Sequence, residues 1–279
     1  MADFGEELPP NAVMHSGRSG ELAHNEYPVQ WGRLNREAVE EAGKLGEIVF
    51  FMRAGYSHSS RYATAYWAGD QLVNWSFDDG FATVIPAGIS LGFCGIAYYH
   101  SDIGGYTTVA WIKRGKELFM RWCEQAVFTP IMRTHEGNRP ESNVQFDSDD
   151  ELLEHFARMS RIYVHLKDYH RALGREYSET GLPPMRHPYI HYEDDSTLHA
   201  LKYQYLYGRD LMVAPVCRPR RRKVRLYLPD DEWIHLWSGQ TYSGGWHDVA
   251  APLGQTPVFY RANSEHRELF AGVPGLADD

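Results

Sequence analysis

The sequence predicts an α/β fold in two parts: the C-terminal half of an eight-stranded (β/α) barrel over residues 1–178, then an antiparallel β-sandwich over residues 179–279. Three observations lead there. Apolar runs alternate with amphipathic segments as far as residue 173, which is the strand–helix alternation of a parallel sheet. Each apolar run ends in polar or glycine-rich residues, as strands do at the functional face of a barrel. From about residue 179 the helical segments stop, and short β-like runs follow one another with turn signals between them.

Taken in order, residues 1–4 read as the end of a strand that carries Asp3. RLNREAVEEAGKL (33–45) is a surface helix with its charges on the outer face. GEIVFFMRAG (46–55) is a continuous apolar run ending in Arg53 and a glycine. A parallel strand is buried on both faces, so this run predicts a strand over 47–53. SSRYATAYWAGDQ (59–71) holds a second strand over 65–69 that leads to Asp70. WSFDDGFATVIPAGISLGF (75–93) is helical in pattern, with Asp78 or Asp79 suited to its start and Pro86 placed to kink it. CGIAYYHSDIGGY (94–106) predicts a strand over 94–100 that runs into a polar, glycine-rich end. A helix over 114–126 follows, then a strand over 128–133 within VFTPIMRTHEGN, ending at Arg133, His135 and Glu136. DDELLEHFARMSRIYVHLKDYHRAL (149–173) is one long amphipathic helix. Beyond it, RDLMVAPV, KVRLYLP, EWIHLWSGQTYSGGWHDV and TPVFYRA are the β-like runs of the second part.

Four complete barrel strands and one stub are countable, whereas a closed barrel of this kind needs eight. The chain is therefore expected to be the C-terminal portion of a longer protein. A parallel sheet with two open edges invites pairing. Alone, the chain is expected to be poorly stable or to aggregate unless it pairs with a second copy, as a homo-oligomer, or with the missing half.

Composition narrows the partners. Of 279 residues, 43% are hydrophobic and 23% charged, which suits a packed globular chain. An aromatic content of 14% is common in carbohydrate-binding and β-rich proteins, and core packing explains it equally well. A net charge of −9 argues against a nucleic-acid partner, and the basic run from Arg218 to Lys223 lies between two strand-like stretches, as a hairpin turn does. The apolar stretches fall short of the roughly 20 residues that cross a bilayer, so no membrane partner is expected. Three widely spaced cysteines without a CxxC pattern suit a reducing cytoplasm. The 14 histidines show no HExxH or 2-His-1-carboxylate spacing, so no metal and no cofactor is expected.

The strand ends supply Asp3, Arg53, Asp70, Asp102 and the pair Arg133 and His135, all expected to project into one face. One such aspartate alone reads as a helix cap or a salt-bridge partner. Five polar strand ends in series read as a site. Two carboxylates facing one pocket are what glycosidic cleavage needs: one attacks the anomeric carbon, the other protonates the leaving oxygen and later activates water.

The motifs then become specific. RAGYSHSSRYATAYWAGDQ, HSDIGGY, MRTHEGN, HNEYPVQWGRLNREAVEEA and YGRDLMVAPV resemble, in the same order, blocks of glycoside hydrolase family 31, whose members carry a TIM barrel and appended β-domains. Within it, the ADFGEELP run, AGDQ and HSDIGGYTT are most similar to the sulfoquinovosidase branch. The resemblance implies a retaining hydrolase of α-sulfoquinovosides, such as sulfoquinovosyl glycerol from sulfolipid, with a plain α-glucoside or α-xyloside, or a non-catalytic remnant, as the alternatives. It implies Asp3 as nucleophile and Asp70 as general acid/base. It implies that Tyr106 helps to hold the sulfonate, that Arg53, Asp102 and His135 bind sugar hydroxyls and steer the carboxylates, and that Trp67 forms a wall of the pocket. The branch's other sulfonate-binding residues, an Arg and a Trp, belong to the barrel half that this sequence does not include.

Overall fold

The computed structural model describes residues 1–277. Helices α1 (Gly20–Ala23) and α2 (Tyr27–Glu41) precede the first barrel strands, β1 (Phe51–Met52) and β2 (Ala65–Trp67). Then come α3 (Val84–Phe93), β3 (Tyr98–His100), β4 (Asp102–Ile103), α4 (Lys116–Ala126) and β5 (Arg133–Thr134). Helices α5 (Asp150–His165) and α6 (Lys167–Thr180) close the first part.

The barrel strands pair in parallel and in chain order. Ala2 bridges Met52, Phe51 pairs with Ala65, Trp67 with His100, and Asp102 with Arg133. β3 and β4 are two pieces of one strand, interrupted at Ser101. The result is an arc of parallel strands whose C-terminal ends open in one direction, as the alternation of apolar runs and helices requires. Its hydrophobic interior is filled by Phe81, Ile85, Tyr99, Phe119 and Trp122, and the Trp122 indole donates to Ser101 Oγ at 2.8 Å.

The second part begins at β6 (Met185–Arg186) and continues through β7 (Tyr205–Tyr207), β8 (Leu211–Val213), β9 (Lys223–Leu228), β10 (Trp233–His235), β11 (Thr241–Tyr242), β12 (Gly245–Ala250) and β13 (Val258–Arg261), followed by α7 (Arg267–Ala271). Six strands form an antiparallel sheet in the order β11-β10-β13-β8-β7-β6, and β12 pairs with β9 separately. Leu206, Met212, Trp233 and Phe259 from the larger sheet pack with Leu226, Leu228 and Val249 from the smaller one. This is the two-layered antiparallel arrangement that the short runs predict.

Several elements differ from expectation. The strand predicted over 47–53 is two residues long, and Ile48 and Val49 are exposed. Its ladder partners, Ala2 and β2, meet it only at Phe51 and Met52, so the preceding apolar residues have no neighbouring strand to bury them. The strand expected over 128–133 reduces to Arg133–Thr134, because Val127 caps α4 and the carbonyls of Gln125 and Ala126 still accept from Phe128 and Thr129. The strand expected over 94–100 likewise starts at Tyr98, since Cys94 ends α3. Neither Asp78 nor Asp79 caps that helix. A 3-10 turn over Phe81–Thr83 intervenes, and Gly80 starts it. Pro86 lies in the first turn of α3, where its missing N–H removes no helical hydrogen bond, and so it makes no kink. The long helix is two helices broken at Leu166.

α3 lies against β6 across two glycines. A Cβ built on Gly88 would stand 2.5 Å from Met185 Sδ and 2.7 Å from the Tyr99 ring. Alanine normally gains about 1 kcal/mol over glycine in a helix. Here the overpacking outweighs that gain, and Gly88→Ala is expected to cost about 1–3 kcal/mol. A urea midpoint equal to or above that of the unmodified protein would show that α3 can shift freely on the sheet.

Candidate active site

The strand ends bring four acids to one arginine. Asp3 follows the Ala2 bridge, and Arg53 follows β1. Between Asp3 and Glu6 the backbone turns through Phe4 at φ +62° and Gly5 at φ +97°. The left-handed region suits glycine, and a Cβ at Gly5 would meet the Trp31 ring at 3.0 Å. The Phe4 N–H donates to Asp3 Oδ1 at 2.8 Å, and the Phe4 ring lies 4.6 Å beneath the Arg53 guanidinium. The turn thereby delivers both Asp3 and Glu6 to the same side chain.

Arg53 divides its donors. Nε and Nη2 both reach Glu6 Oε1, at 2.8 and 2.5 Å, and Glu7 stands 3.9 Å away. Nη1 lies 3.2 Å from Asp3 Oδ1 and 3.2 Å from Asp70 Oδ2. The two aspartate oxygens are thus no farther apart than twice that distance. Glu6, His24, Arg53, Tyr56, Gly69 and Asp70 help to line an open cleft of about 570 Å³.

Burial raises the Asp70 carboxyl above its ordinary range; Arg53 and His135 pull it back, while Asp3 and Glu6 add to the rise. Asp70 is also held through its backbone. Its carbonyl accepts from Thr107 Oγ1 at 2.8 Å, and the Gln71 carbonyl accepts from the N–H groups of Tyr106 and Thr107 at 2.9 Å each. The loop that carries Tyr106 is therefore stitched to the loop that carries Asp70.

A second group forms around Arg133. It ion-pairs with buried Asp102, its Nε donates to His100 Nε2 at 3.0 Å, and its guanidinium lies 5.0 Å over the Phe51 ring. Burial and the Arg133 charge push His100 down to about 3, so its ring is neutral and free to accept. Burial raises Asp102, and Arg133 opposes that rise. Trp67 is 3% exposed at the end of β2 and meets Phe51 edge-on at 5.4 Å. Tyr106 and His135 meet edge-on at 5.0 Å, and His135 Nδ1 accepts from the Gly137 N–H at 3.0 Å.

The structure brings Asp3, Arg53 and Asp70 into direct contact. It places Asp102 in the adjacent Arg133 cluster and pairs Tyr106 with His135. Trp67 is buried beside Phe51, whose ring also lies under the Arg133 guanidinium. Three contributors are given no site role by the sequence. Glu6, in the motif beside Asp3, holds two donors of Arg53. His100 accepts from Arg133. Arg114, fully buried and pushed down to about 10 by that burial, donates to the carbonyls of His135 at 2.9 Å and Glu136 at 2.8 Å. Spacing within the motif could have flagged Glu6; nothing local marks Arg114. Among the described residues no cluster of acids, histidines and cysteines could hold a metal ion, and no helix is long and apolar enough to cross a membrane.

Comparison with known proteins agrees with this architecture. Residues 2–170 match the model of the glycosyl hydrolases family 31 TIM-barrel domain, and residues 181–264 match that of the glycosyl hydrolase family 31 C-terminal domain. A sulfoquinovosidase from Escherichia coli (strain K12) is 53% identical over 99% of this chain, and one from Agrobacterium fabrum (strain C58) is 48% identical over 97%. A solved structure of a GH31 family sulfoquinovosidase from E. rectale, in complex with the aza-sugar inhibitor IFGSQ, superposes with a TM-score of 0.96 at 47% identity over 98% of this chain. The chain spans 41% of the length of each of these three proteins. Both domain models match in chain order and between them cover the parallel arc and the antiparallel sheets, so the chain belongs to glycosyl hydrolase family 31.

Proposed function

We propose that the protein carrying this chain is a retaining α-glycoside hydrolase that cleaves α-sulfoquinovosides. In this reading residues 1–178 hold the catalytic carboxylates and residues 179–279 form the appended sheets. The observation that carries it is the single Arg53 nitrogen standing 3.2 Å from both Asp3 and Asp70. That contact holds the two nearest carboxylate oxygens within twice that distance, which accommodates a retaining pair, whose carboxyl groups lie about 5–5.5 Å apart.

Asp3, facing a guanidinium and the Phe4 N–H, is the nucleophile. It attacks the anomeric carbon as the glycosidic bond breaks, and Asp70 gives its proton to the departing oxygen. Asp70 then takes a proton from water, the water oxygen attacks the same carbon, and Asp3 leaves as a carboxylate. Burial of Asp70 favours the protonated form that the first step needs.

The sulfonated sugar is supported by the likeness to three proteins described as sulfoquinovosidases. Tyr106 is the residue here that would donate to the sulfonate, its loop being tied to that of Asp70. A hydrogen bond to a charged group contributes about 1.5–3 kcal/mol. Tyr106→Phe should therefore lower kcat/KM for para-nitrophenyl α-sulfoquinovoside by roughly tenfold or more and change para-nitrophenyl α-glucoside far less. Equal loss on both substrates would remove Tyr106 from the clamp. The unmodified protein should prefer the sulfonated substrate; preference for the glucoside would leave Asp3 and Asp70 in place and change the substrate class.

A further inference from the structure

Arg53 meets more acids than one guanidinium can neutralise. Asp3, Glu6 and Asp70 lie within 3.2 Å of its nitrogens and Glu7 within 3.9 Å. Asp79 and Asp102 also act on or feel Asp70, and His135 is the other basic side chain bearing on it. These groups come from every strand end of the arc: the first turn, the β2 loop, β4 and the loop after β5. Glu6 takes the Nε–Nη2 edge, which is the edge that could otherwise form a two-pronged pair with a catalytic carboxylate. Only Nη1 is left for the aspartates, and they share it. Glu6 Oε2 is itself buried without a hydrogen-bond partner, so the carboxylate is held by Arg53 alone on this side.

We propose that Glu6 is a positioning residue for the proposed hydrolysis: by occupying one edge of Arg53 it confines the guanidinium to a single shared contact with Asp3 and Asp70, and so keeps the proton on Asp70 that the leaving group needs. The inference rests on the assignment of Asp3 and Asp70 above. Without Glu6, Arg53 turns its free edge toward the aspartates, and the cluster loses one negative charge. Both changes favour the ionised form of Asp70.

The test is the pH profile of kcat/KM for Glu6→Gln in the protein that carries this chain, with Glu7→Gln as the control. Activity through a general acid is lost as pH rises through the acid's pKa, and activity through a carboxylate nucleophile is lost as pH falls through its own. The Glu6→Gln profile should therefore move to lower pH on its basic limb, by roughly 1 pH unit. Glu7→Gln, whose carboxylate stands 3.9 Å from Arg53 on a side chain 66% exposed, leaves the Nε–Nη2 edge with Glu6 and should move the basic limb far less. A Glu6→Gln protein with lower activity and an unmoved basic limb would overturn the proposal and leave Glu6 a structural salt-bridge partner. Should the glutamine variant fail to fold, Glu6→Ala carries the same expectation and the same refutation. If the unmodified protein cleaves neither the sulfonated nor the plain glycoside, the assignment of function fails instead, and the two failures are distinct.

Discussion

Asp70→Asn, assayed in the protein that carries this chain, is expected to lower kcat/KM for an alkyl glycoside by about 10²–10⁴-fold. A substrate with an activated aryl leaving group should suffer much less in the bond-breaking step, because such a group departs without a proton. Asp3→Asn should abolish turnover of both, since no covalent intermediate can form. The substitutions are isosteric, and the side chains are 34% and 40% exposed beside an open cleft, so the fold should persist. The contrast between leaving groups is the informative readout. If Asp70→Asn retained normal turnover of the alkyl and the aryl glycoside alike, the acid assignment would be wrong. If it lost both equally, Asp70 would be acting on Arg53 or on the sugar rather than on the leaving oxygen.

What could be read from the sequence was the position of each acid at a strand end, because a strand C-terminus is marked locally. A short apolar run stops and a polar or glycine-rich turn begins. Asp3, Arg53, Asp70 and Asp102 all stand at such transitions. Less legible was how those ends meet. Glu6 and Arg53 are 47 residues apart, and no periodicity says that a guanidinium will turn one edge to Glu6 and one nitrogen to the aspartates. Arg114 is less legible still: a charged residue at the start of the helix expected over 114–126 reads as solvated, whereas its burial is offset by backbone carbonyls contributed from β4 and from after β5. Strand lengths were overestimated for a related reason. Apolar runs such as GEIVF measure how much burial a segment tolerates, while strand extent is set by the partners the ladder finds. Ile48 bridges only nearby Leu45, and neither it nor Val49 meets a strand of the arc. The break at Leu166 is equally invisible in the pattern, because α5 and α6 each keep a 3.6-residue period on either side of it.

The seam between the two parts carries the largest stability effect. Arg121 and Glu124 on α4 are 0% and 1% exposed and pair at 2.9 Å. Arg121 also donates to the carbonyls of Ala251 at 2.7 Å, Pro252 at 3.1 Å and Arg221 at 3.2 Å, while Glu124 Oε1 accepts from the Gly254 N–H at 2.6 Å. Helix α4 thereby grips the loop between β12 and β13. Burial raises Glu124, and Arg121 and Gly254 oppose it; the ion pair is what keeps two charges tolerable inside the protein. Glu124→Ala would strand the guanidinium without a counter-charge and leave the Gly254 N–H unmatched, at an expected cost of about 3–5 kcal/mol. The double replacement Arg121→Met with Glu124→Leu should cost less than Glu124→Ala alone, because it removes both charges together. Breaking the exposed Arg33–Glu37 pair on α2 should cost under about 1 kcal/mol. Urea unfolding followed by tryptophan fluorescence separates these cases. A Glu124→Ala protein as stable as the Arg33 variant would mean that water reaches the seam, and that the other contacts across it, such as Tyr169 to the Tyr207 carbonyl and Tyr205 to the Phe128 carbonyl, suffice to join the two parts.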